Sequence, residues 1–372
     1  MSGRRILITG GAGFIGSHLA DHLLAHGDTV RALDVLSPQV HGPGAGRPGY
    51  LAREVELVVG DVRDPEAVRR ALRGVDAVVH LAAAVGVGQS MYEVDRYVSV
   101  NDHGTAVLLQ ALIERPVERL VVASSMSLYG EGLYRDPSGR LVTAERTRAQ
   151  LLARRWEPAG AEGEALEPVP TPETKAPALA SVYALSKYDQ ERLCLLVGGA
   201  YGIPAVALRF FNVYGTRQAL SNPYTGVLAI FAARYLNGRP PMVNEDGLQR
   251  RDFVAVRDVA EACRRALVAP RAAGQVLNVG SGRSFTVLEV AERLAVALGR
   301  EDLRPEVTGR YRVGDIRHCF ADIARAREVL GYAPQVPFEE GLAGLADWLE
   351  GRIAHDRVGE ASAELTARGL SL

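Results

Sequence analysis

Tyr183 and Lys187 are the residues whose types and spacing most clearly suggest chemistry. They stand four apart in "SVYALSKYDQ", a segment of helical periodicity that should present both on one helix face. Tyrosine ordinarily ionises near pH 10, and a neighbouring ammonium group favours its phenolate. Lys187 is one of only two lysines in the chain, the other being Lys175. The pair predicts a tyrosine base assisted by lysine, although an exposed helix could carry such a pair by chance.

A second candidate lies at the end of the apolar run "RLVVASS", which is typical of a buried strand. Ser125 would supply a catalytic hydroxyl there, with Ser124 as its competitor for the role. Met126 and Ser127 follow directly and should flank the reacting group.

A glycine-rich turn is the third feature. Gly10, Gly13 and Gly16 lie between a predicted strand and a predicted helix in "ITGGAGFIGSHLA". Glycines there let backbone N–H groups approach a pyrophosphate at a helix N-terminus. Asp34, at the end of the next strand, should accept from both hydroxyls of an adenosine ribose, which favours NAD over NADP. Asp61, after the third strand, would bind the adenine amino group, cap the helix predicted at 65–73, or do both.

Alternation of strands and helices must position these residues. Five apolar runs predict strands buried on both faces, and amphipathic segments between them predict helices. The fold class is therefore α/β, with a doubly wound parallel sheet of the Rossmann type. The five runs are 5–10, 29–34, 55–61, 76–82 and 119–125.

The alternation breaks after residue 130. Residues 131–178 form an excursion with one helix-like piece, "AERTRAQLLARRW", followed by a helix at 181–199 and a strand in "PAVALRFFNVYG". We expect a cofactor domain over 1–215, with 252–282 returning to it through "RDFVAV" and "VLNVGS". Residues 216–372 form a smaller substrate domain, with helices near 226–237, 257–268, 286–299, 322–331 and 338–354 and a tail from 355 that is helical or poorly ordered.

Bulk composition excludes several classes. A formal net charge of −1 argues against a nucleic-acid-binding protein. The three cysteines, at 194, 263 and 319, show no metal-binding spacing and suit a reduced, cytoplasmic protein. We see no signal-peptide region and no apolar run long enough to span a membrane.

Taken together, "TGGAGFIGSHL", "HLAA", "SSMSLYG", "YALSK" and "LRFFNVYG" resemble the extended short-chain dehydrogenase/reductase family, over roughly residues 4–345. The resemblance implies a catalytic triad of Ser125, Tyr183 and Lys187. It also implies NAD contacts along the glycine turn and the strand ends, from Gly10, Gly13, Phe14, Ile15, Gly16, Asp34, Asp61, Val62, Leu81, Ala82, Ala83, Asn101, Tyr183, Lys187 and Phe210.

The nucleotide-sugar epimerases and dehydratases of that family share further pieces with this chain. The resemblance places Asn212, Arg251 and Arg312 on the nucleotide diphosphate, with Arg317 as a helper. Arginine forks suit a diphosphate, which favours this role for Arg251 and Arg312, whereas Arg317 is equally compatible with a solvated surface charge. The "AVGVGQSM" loop, with Ser125, would line the sugar through Gly86 and Val87.

Met126 and Ser127 narrow the reaction. Dehydratases resembling this chain carry an Asp–Glu pair at those positions, whereas these two side chains cannot transfer protons at C5 and C6. Related decarboxylases keep a glutamate in this stretch, and related 3,5-epimerases place a cysteine at position 127. Uronic-acid 4-epimerases carry an arginine where Gly88 stands. These departures predict 4-epimerisation of a neutral hexose or deoxyhexose.

The excursion around Trp156 resembles a bacterial subgroup of nucleotide-sugar 4-epimerases that includes dTDP-L-rhamnose 4-epimerases. The cysteine cluster of that subgroup is missing here, so we predict no metal. The family also implies a homodimer formed through helices near 92–114 and 181–199. A dehydratase, a dehydrogenase or reductase that releases its keto sugar, and a non-catalytic NAD sensor remain as alternatives.

Overall fold

The structure is a computed structural model that describes residues 3–222, 224, 226–352, 356 and 358–371. In chain order its strands are β1 Arg5–Thr9, β2 Thr29–Asp34, β3 Glu56–Val59, β4 Ala77–His80, β5 Arg119–Ser125, β6 Leu133–Arg135, β7 Leu141–Val142, β8 Glu167–Val169, β9 Ala205–Phe210, β10 Asn212–Tyr214, β11 Met242–Val243, β12 Arg250–Arg251, β13 Phe253–Ala255, β14 Val276–Val279, β15 Phe285–Thr286, β16 Glu306–Val307 and β17 His318–Cys319.

The helices are α1 Phe14–Ala25, α2 Pro38–His41, α3 Pro65–Ala71, α4 Val87–Ser90, α5 Val94–Tyr97, α6 Gly104–Glu114, α7 Arg148–Leu152, α8 Val182–Tyr201, α9 Val227–Leu236, α10 Val256–Val268, α11 Val287–Ala297, α12 Ala324–Leu330, α13 Phe338–Leu349 and α14 Val358–Ala367. A π-helical turn, Val98–His103, joins α5 to α6, and 3₁₀ turns follow β5 and α10.

Seven strands form one parallel sheet in the order β14-β9-β5-β4-β1-β2-β3. The order reverses between β1 and β4, which opens a crevice at the carboxyl ends of these strands. Ile8 lies between Ala32 of β2 and Val79 of β4, and Ser125 lies opposite Phe210 of β9. The predicted doubly wound parallel sheet is confirmed.

Helices cover both faces of the sheet, which is why its central strands are apolar on both sides. α1 packs beside α10 on one face, over a core that includes Leu19, Leu23 and Val259. On the other face α3, α6 and α8 lie side by side, and Leu108, Leu112 and other residues fill the core beneath them.

The two strands expected to return to the sheet behave differently. Val276–Val279 pairs with β9 and forms its edge. Phe253–Ala255 instead pairs with Asn212–Tyr214 outside the sheet, so the expectation for "RDFVAV" was wrong. The run "PAVALRFFNVYG" is correspondingly two strands, because the chain leaves the sheet after Phe210.

A third core lies beyond that exit. α9, α11 and α13 enclose it together with β10 and β13, through residues such as Phe231, Leu294 and Phe338. α13 ends at Leu349, earlier than the expected 354, and α14 occupies most of the tail, whose residues 355, 357 and 372 lie outside the described part.

The excursion at 131–178 differs from its prediction. Its helix is confined to Arg148–Leu152, begun by a Thr147–Gln150 capping box, and the rest includes the three-stranded antiparallel sheet β7-β6-β8. Over the described residues, no helix is both long and apolar enough to cross a membrane.

Candidate active site

Ser125 and Tyr183 meet at the carboxyl edge of the sheet. Ser125 is the last residue of β5, and Tyr183 stands in the first turn of α8, whose N-cap Ser181 accepts the N–H of Ala184 at 3.1 Å. Burial raises the pKa of Tyr183, and the neighbouring Ser125 side chain acts in the opposite direction, which places the two hydroxyl groups close together.

Ser124 faces away from this pair because successive side chains of a strand point to opposite faces. Its hydroxyl donates to Glu191 Oε2 at 2.6 Å, and Glu191 is ion-paired with Arg209 at 2.7 Å in the core. Of the two candidate serines, the structure brings only Ser125 to Tyr183.

Ser127 orients the Ser125 hydroxyl, a role that sequence reasoning missed. Ser125 Oγ accepts the backbone N–H of Ser127 at 3.1 Å and its hydroxyl at 2.9 Å. A hydroxyl has two lone pairs and one proton, so the Ser125 proton is left to donate toward Tyr183 or an oxygen beside it.

Lys187 lies one helical turn beyond Tyr183 and is only 3% exposed. Its Nζ donates to Gln190 Oε1 at 2.6 Å, which leaves two of its three N–H groups for other acceptors. Burial lowers the pKa of Lys187 to about 8. Sequence reasoning also missed Gln190, although its place three residues after Lys187 was a readable signal.

Ser90 ties the glycine-rich loop to the triad. It accepts the backbone N–H of Tyr183 at 3.0 Å and donates to the carbonyl of Val87 at 2.7 Å. Gly86, with a φ of 140°, and Val87 are thereby tied to the start of the helix that carries Tyr183.

The glycine turn has the shape that a pyrophosphate needs. Gly10 has a φ of 70°, a conformation that favours glycine, and a Cβ on Gly16 would overlap the Gly10 carbonyl oxygen. Gly13 caps α1 without a side-chain hydrogen bond, so no side chain blocks the helix N-terminus that Phe14 and Ile15 begin.

Asp34 holds this turn against the loop that follows β2. Its carboxylate accepts the N–H of Ala12 at 3.0 Å and that of Leu36 at 2.9 Å. A carboxylate offers about four acceptor positions, so two remain for ribose hydroxyls. The turn and Asp34 therefore suit an adenine dinucleotide.

Asp61 does not cap a helix. It is paired with Arg63 at 2.6 Å, which holds its pKa below the usual value, and Asp64 caps α3 by accepting the N–H of Glu66. The capping alternative for Asp61 was wrong, because Asp64 occupies the N-cap position before Pro65.

The other predicted cofactor residues are distributed along the same edge. Asn101 is fully buried in the π-helical turn, where it bonds both backbone groups of Ala84 and the Ser186 hydroxyl. The others follow β3 and β4 or end β9, namely Val62, Leu81, Ala82, Ala83 and Phe210.

Arg251 and Arg312 both make contacts within the segment 312–317. Arg251 donates to the carbonyls of Ile316 at 2.5 Å and Arg317 at 2.8 Å, and within the described part of the chain no carboxylate pairs with it. Arg312 is paired with Asp315 at 2.7 Å. The Oδ1 atom of Asn212 is buried and has no hydrogen-bond partner among the described residues, so its amide can still bind a ligand.

Arg317 does not join them. Its guanidinium group is fully buried and lies within 2.9 Å of three carboxylates, those of Glu157, Glu245 and Asp246. Its N–H donors are committed to these acids, so the expected contact with a diphosphate was wrong. Arg317 instead anchors the excursion, which supplies Glu157.

A cavity of about 1460 Å³ lies beside the loop that follows Asp34. Gln89 and Tyr92 from the region of α4, Tyr50, and the loop 217–222 line it. Gln218 is 6% exposed, and its Oε1 atom has no partner among the described residues.

Comparison with known proteins agrees with this geometry. The sequence model of the NAD dependent epimerase/dehydratase family matches residues 6–151 and 157–280. A dTDP-L-rhamnose 4-epimerase of Burkholderia thailandensis is 36% identical over 359 residues, which cover 94% of this chain and 96% of that protein.

Two solved structures share both fold and sequence. The UDP-glucose 4-epimerase of Thermotoga maritima, with UDP-glucose, has a TM-score of 0.76 and 32% identity over 92% of this chain and 98% of its own. The UDP-glucose 4-epimerase of Thermus thermophilus, in complex with NAD, has a TM-score of 0.74 and 34% identity over 94% of this chain and 100% of its own.

Proposed function

Because the chain belongs to the NAD-dependent epimerase/dehydratase family, we propose that it inverts C4 of a nucleotide-diphosphate sugar with NAD as its cofactor. The observation that carries the proposal is the close approach of Ser125 to Tyr183, next to which Met126 and Ser127 offer no acid or base. The relatives that are named 4-epimerases support the same reaction.

In this reaction Tyr183 takes the proton of the C4 hydroxyl and later returns it. Ser125 donates its proton to the C4 oxygen, because both of its lone pairs are occupied by Ser127. Lys187 places a positive charge near the phenolate and offers two N–H groups to a ribose. The glycine turn and Asp34 would hold NAD, which would supply reversible hydride transfer at C4.

The proton-transfer groups that dehydration requires are directed elsewhere. Met126 is apolar, and the Ser127 hydroxyl is bound to Ser125. In the excursion, Glu131 binds Arg146 and the N–H of Arg317, and Glu157 binds Arg317. This arrangement supports chemistry confined to C4.

The proposed substrate class follows from the charges opposite the triad. Arg251, Arg312 and the amide N–H groups of Asn212 are the donors that we propose for the nucleotide diphosphate. A side chain at Gly88 would meet Leu365 of α14, since a Cβ there would lie 3.3 Å from Leu365 Cδ2. Because Gly88 has no side chain, this position offers no cation to a sugar carboxylate, which supports a neutral sugar.

The proposal also includes a homodimer and a cytoplasmic location. Apolar side chains remain exposed on α8 and on the helices before it, with Leu185 45%, Leu196 60% and Val98 43% exposed. We place the homodimer contact on these helices, since apolar patches favour association. The three cysteines are buried and free, which supports a reducing cytoplasm.

The test is to incubate the purified protein with dTDP-, UDP-, GDP- and ADP-hexoses and deoxyhexoses and to follow the anomeric protons by NMR. We expect one substrate to reach equilibrium with its C4 epimer while NAD(H) stays bound and no net redox change occurs. A product lacking the C6 hydroxyl would show a dehydratase, released NADH with a keto sugar would show a dehydrogenase, and either result overturns the proposal.

A further inference from the structure

We propose that Gln190 is a positioning residue that holds the ammonium group of Lys187 in place for the reaction at C4, a role that rests on the proposed function. Lys187 and Gln190 are linked by a buried hydrogen bond of 2.6 Å. We place the effect of Gln190 on the tyrosine base in this bond to Lys187.

The direction of the Gln190 amide is set by the groups behind it. Thr105 donates its hydroxyl proton to the Asn101 carbonyl at 2.5 Å, so its oxygen is free to accept. Gln190 Nε2 donates to that oxygen at 2.8 Å and to the carbonyl oxygen of Ala82 at 3.4 Å. With its nitrogen turned to these acceptors, the amide must present its oxygen to Lys187.

His80 supports this arrangement as a neutral ring. It is 1% exposed, and burial together with the Lys187 charge lowers its pKa to about 3. Its Nε2 lies 2.9 Å from Thr105 Oγ1, whose proton goes to Asn101, so Nε2–H donates to Thr105 while Nδ1 accepts from the Thr9 hydroxyl at 2.7 Å. The chain of bonds from Thr9 to Lys187 thus contains no charged acceptor.

Among the described residues, no carboxylate pairs with the ammonium group of Lys187 in place of the Gln190 amide. The titratable groups that act on Lys187 are Glu191 and Cys194 of α8, Asp102 of the π-helical turn and His80 of β4. Glu191 is ion-paired with Arg209 and accepts the Ser124 hydroxyl. No carboxylate among the described residues lies within ion-pair distance of Lys187. Gln190 is its one hydrogen-bond partner in the described chain.

A neutral acceptor keeps Lys187 charged yet easily deprotonated. A carboxylate at position 190 would stabilise the ammonium form, and an apolar side chain would destabilise it. The charge of Lys187 near Tyr183, and hence the alkaline limb of the pH–rate profile, should therefore follow the residue at position 190.

The chain offers a direct measurement because Lys175 and Lys187 are its only lysines. Protein labelled with [ε-¹³C]lysine should give two resonances, and Lys187→Met assigns them. In the wild type we expect the Lys187 signal to titrate with a pKa of about 8. Gln190→Met should lower that midpoint, and Gln190→Glu should raise it, each by about one pH unit. The Lys175 signal, whose Nζ binds the Tyr129 carbonyl, should not move.

Activity provides the second measurement. In the pH profile of kcat, the alkaline limb should move to lower pH in Gln190→Met and to higher pH in Gln190→Glu. An exposed control on α6, Gln110→Met, should leave it in place. If both Gln190 variants fold and neither the NMR midpoint nor the limb moves, the inference is wrong. If no sugar is epimerised by the wild type, the proposed function fails, and the NMR titration still decides whether Gln190 holds Lys187.

Discussion

Ser124 and Ser125 are adjacent in the chain, yet Ser124 donates to the buried Glu191 at 2.6 Å while Ser125 lies beside Tyr183. The two hydroxyls therefore contribute to different properties of the protein. The Ser124 hydroxyl satisfies a core carboxylate that also pairs with Arg209, whereas the Ser125 hydroxyl belongs to the proposed catalytic centre.

Alanine at each serine should separate these properties. Ser125→Ala should lower kcat by about 10²-fold or more, since it removes a donor to the reacting oxygen, with little change in stability. Ser124→Ala should cost about 1–3 kcal/mol of unfolding free energy, because a buried acceptor loses its partner, while kcat changes little. Urea denaturation and initial rates measure both, and the opposite outcome would reverse the assignment of the two serines.

Removing the Tyr183 hydroxyl should abolish proton transfer and leave binding intact. Tyr183→Phe should lower kcat by about 10²- to 10⁴-fold, the usual contribution of a general base. Calorimetric titration with the substrate should give a Kd close to that of the wild type. Unchanged turnover would exclude Tyr183 as the base.

Arg251 and Arg317 should respond differently to methionine. Arg317→Met leaves Glu157, Glu245 and Asp246 without their shared cation, so we expect a loss of about 3–5 kcal/mol in unfolding free energy. Arg251→Met leaves no carboxylate without its cation and removes only the donors to the carbonyls of Ile316 and Arg317. It should therefore weaken nucleotide-diphosphate binding by about 10-fold or more, with a smaller loss of stability than Arg317→Met. Denaturation and calorimetry on both variants test the contrast, and weakened binding by a stable Arg317→Met would restore its substrate role.

Stability should fall on the acid side partly because of His80. Its pKa is about 3 in the folded protein, against about 6.5 when unfolded. Between these values the unfolded chain binds the additional proton, so stability rises with pH. The contribution is complete above pH 6.5 and is lost, by about 1.4 kcal/mol per pH unit, as pH falls toward 3.

The difference between the wild type and His80→Asn isolates this residue from other titrating groups. Urea denaturation at pH 7, 6 and 5 should show a shallower decline for the variant. Parallel declines would mean that His80 is not buried as a neutral ring.

The amino-acid sequence by itself determined the features that depend on local periodicity. Apolar runs and the glycines between them specify a parallel sheet with a turn at Gly10–Gly16, and a spacing of four places Tyr183 and Lys187 on one helix face. Both kinds of signal act within a few residues, so they can be read without a fold.

The tertiary structure alone decided which polar side chain meets which partner. Arg251 and Arg317 look alike in a chain rich in arginine, but the acids that bury Arg317 lie 71, 72 and 160 residues away in sequence. In the same way, Glu191 removes Ser124 from the site, and Phe253–Ala255 pairs outside the main sheet. These outcomes depend on contacts between distant segments, because the energy of a buried polar group is set by the neighbours that folding brings to it.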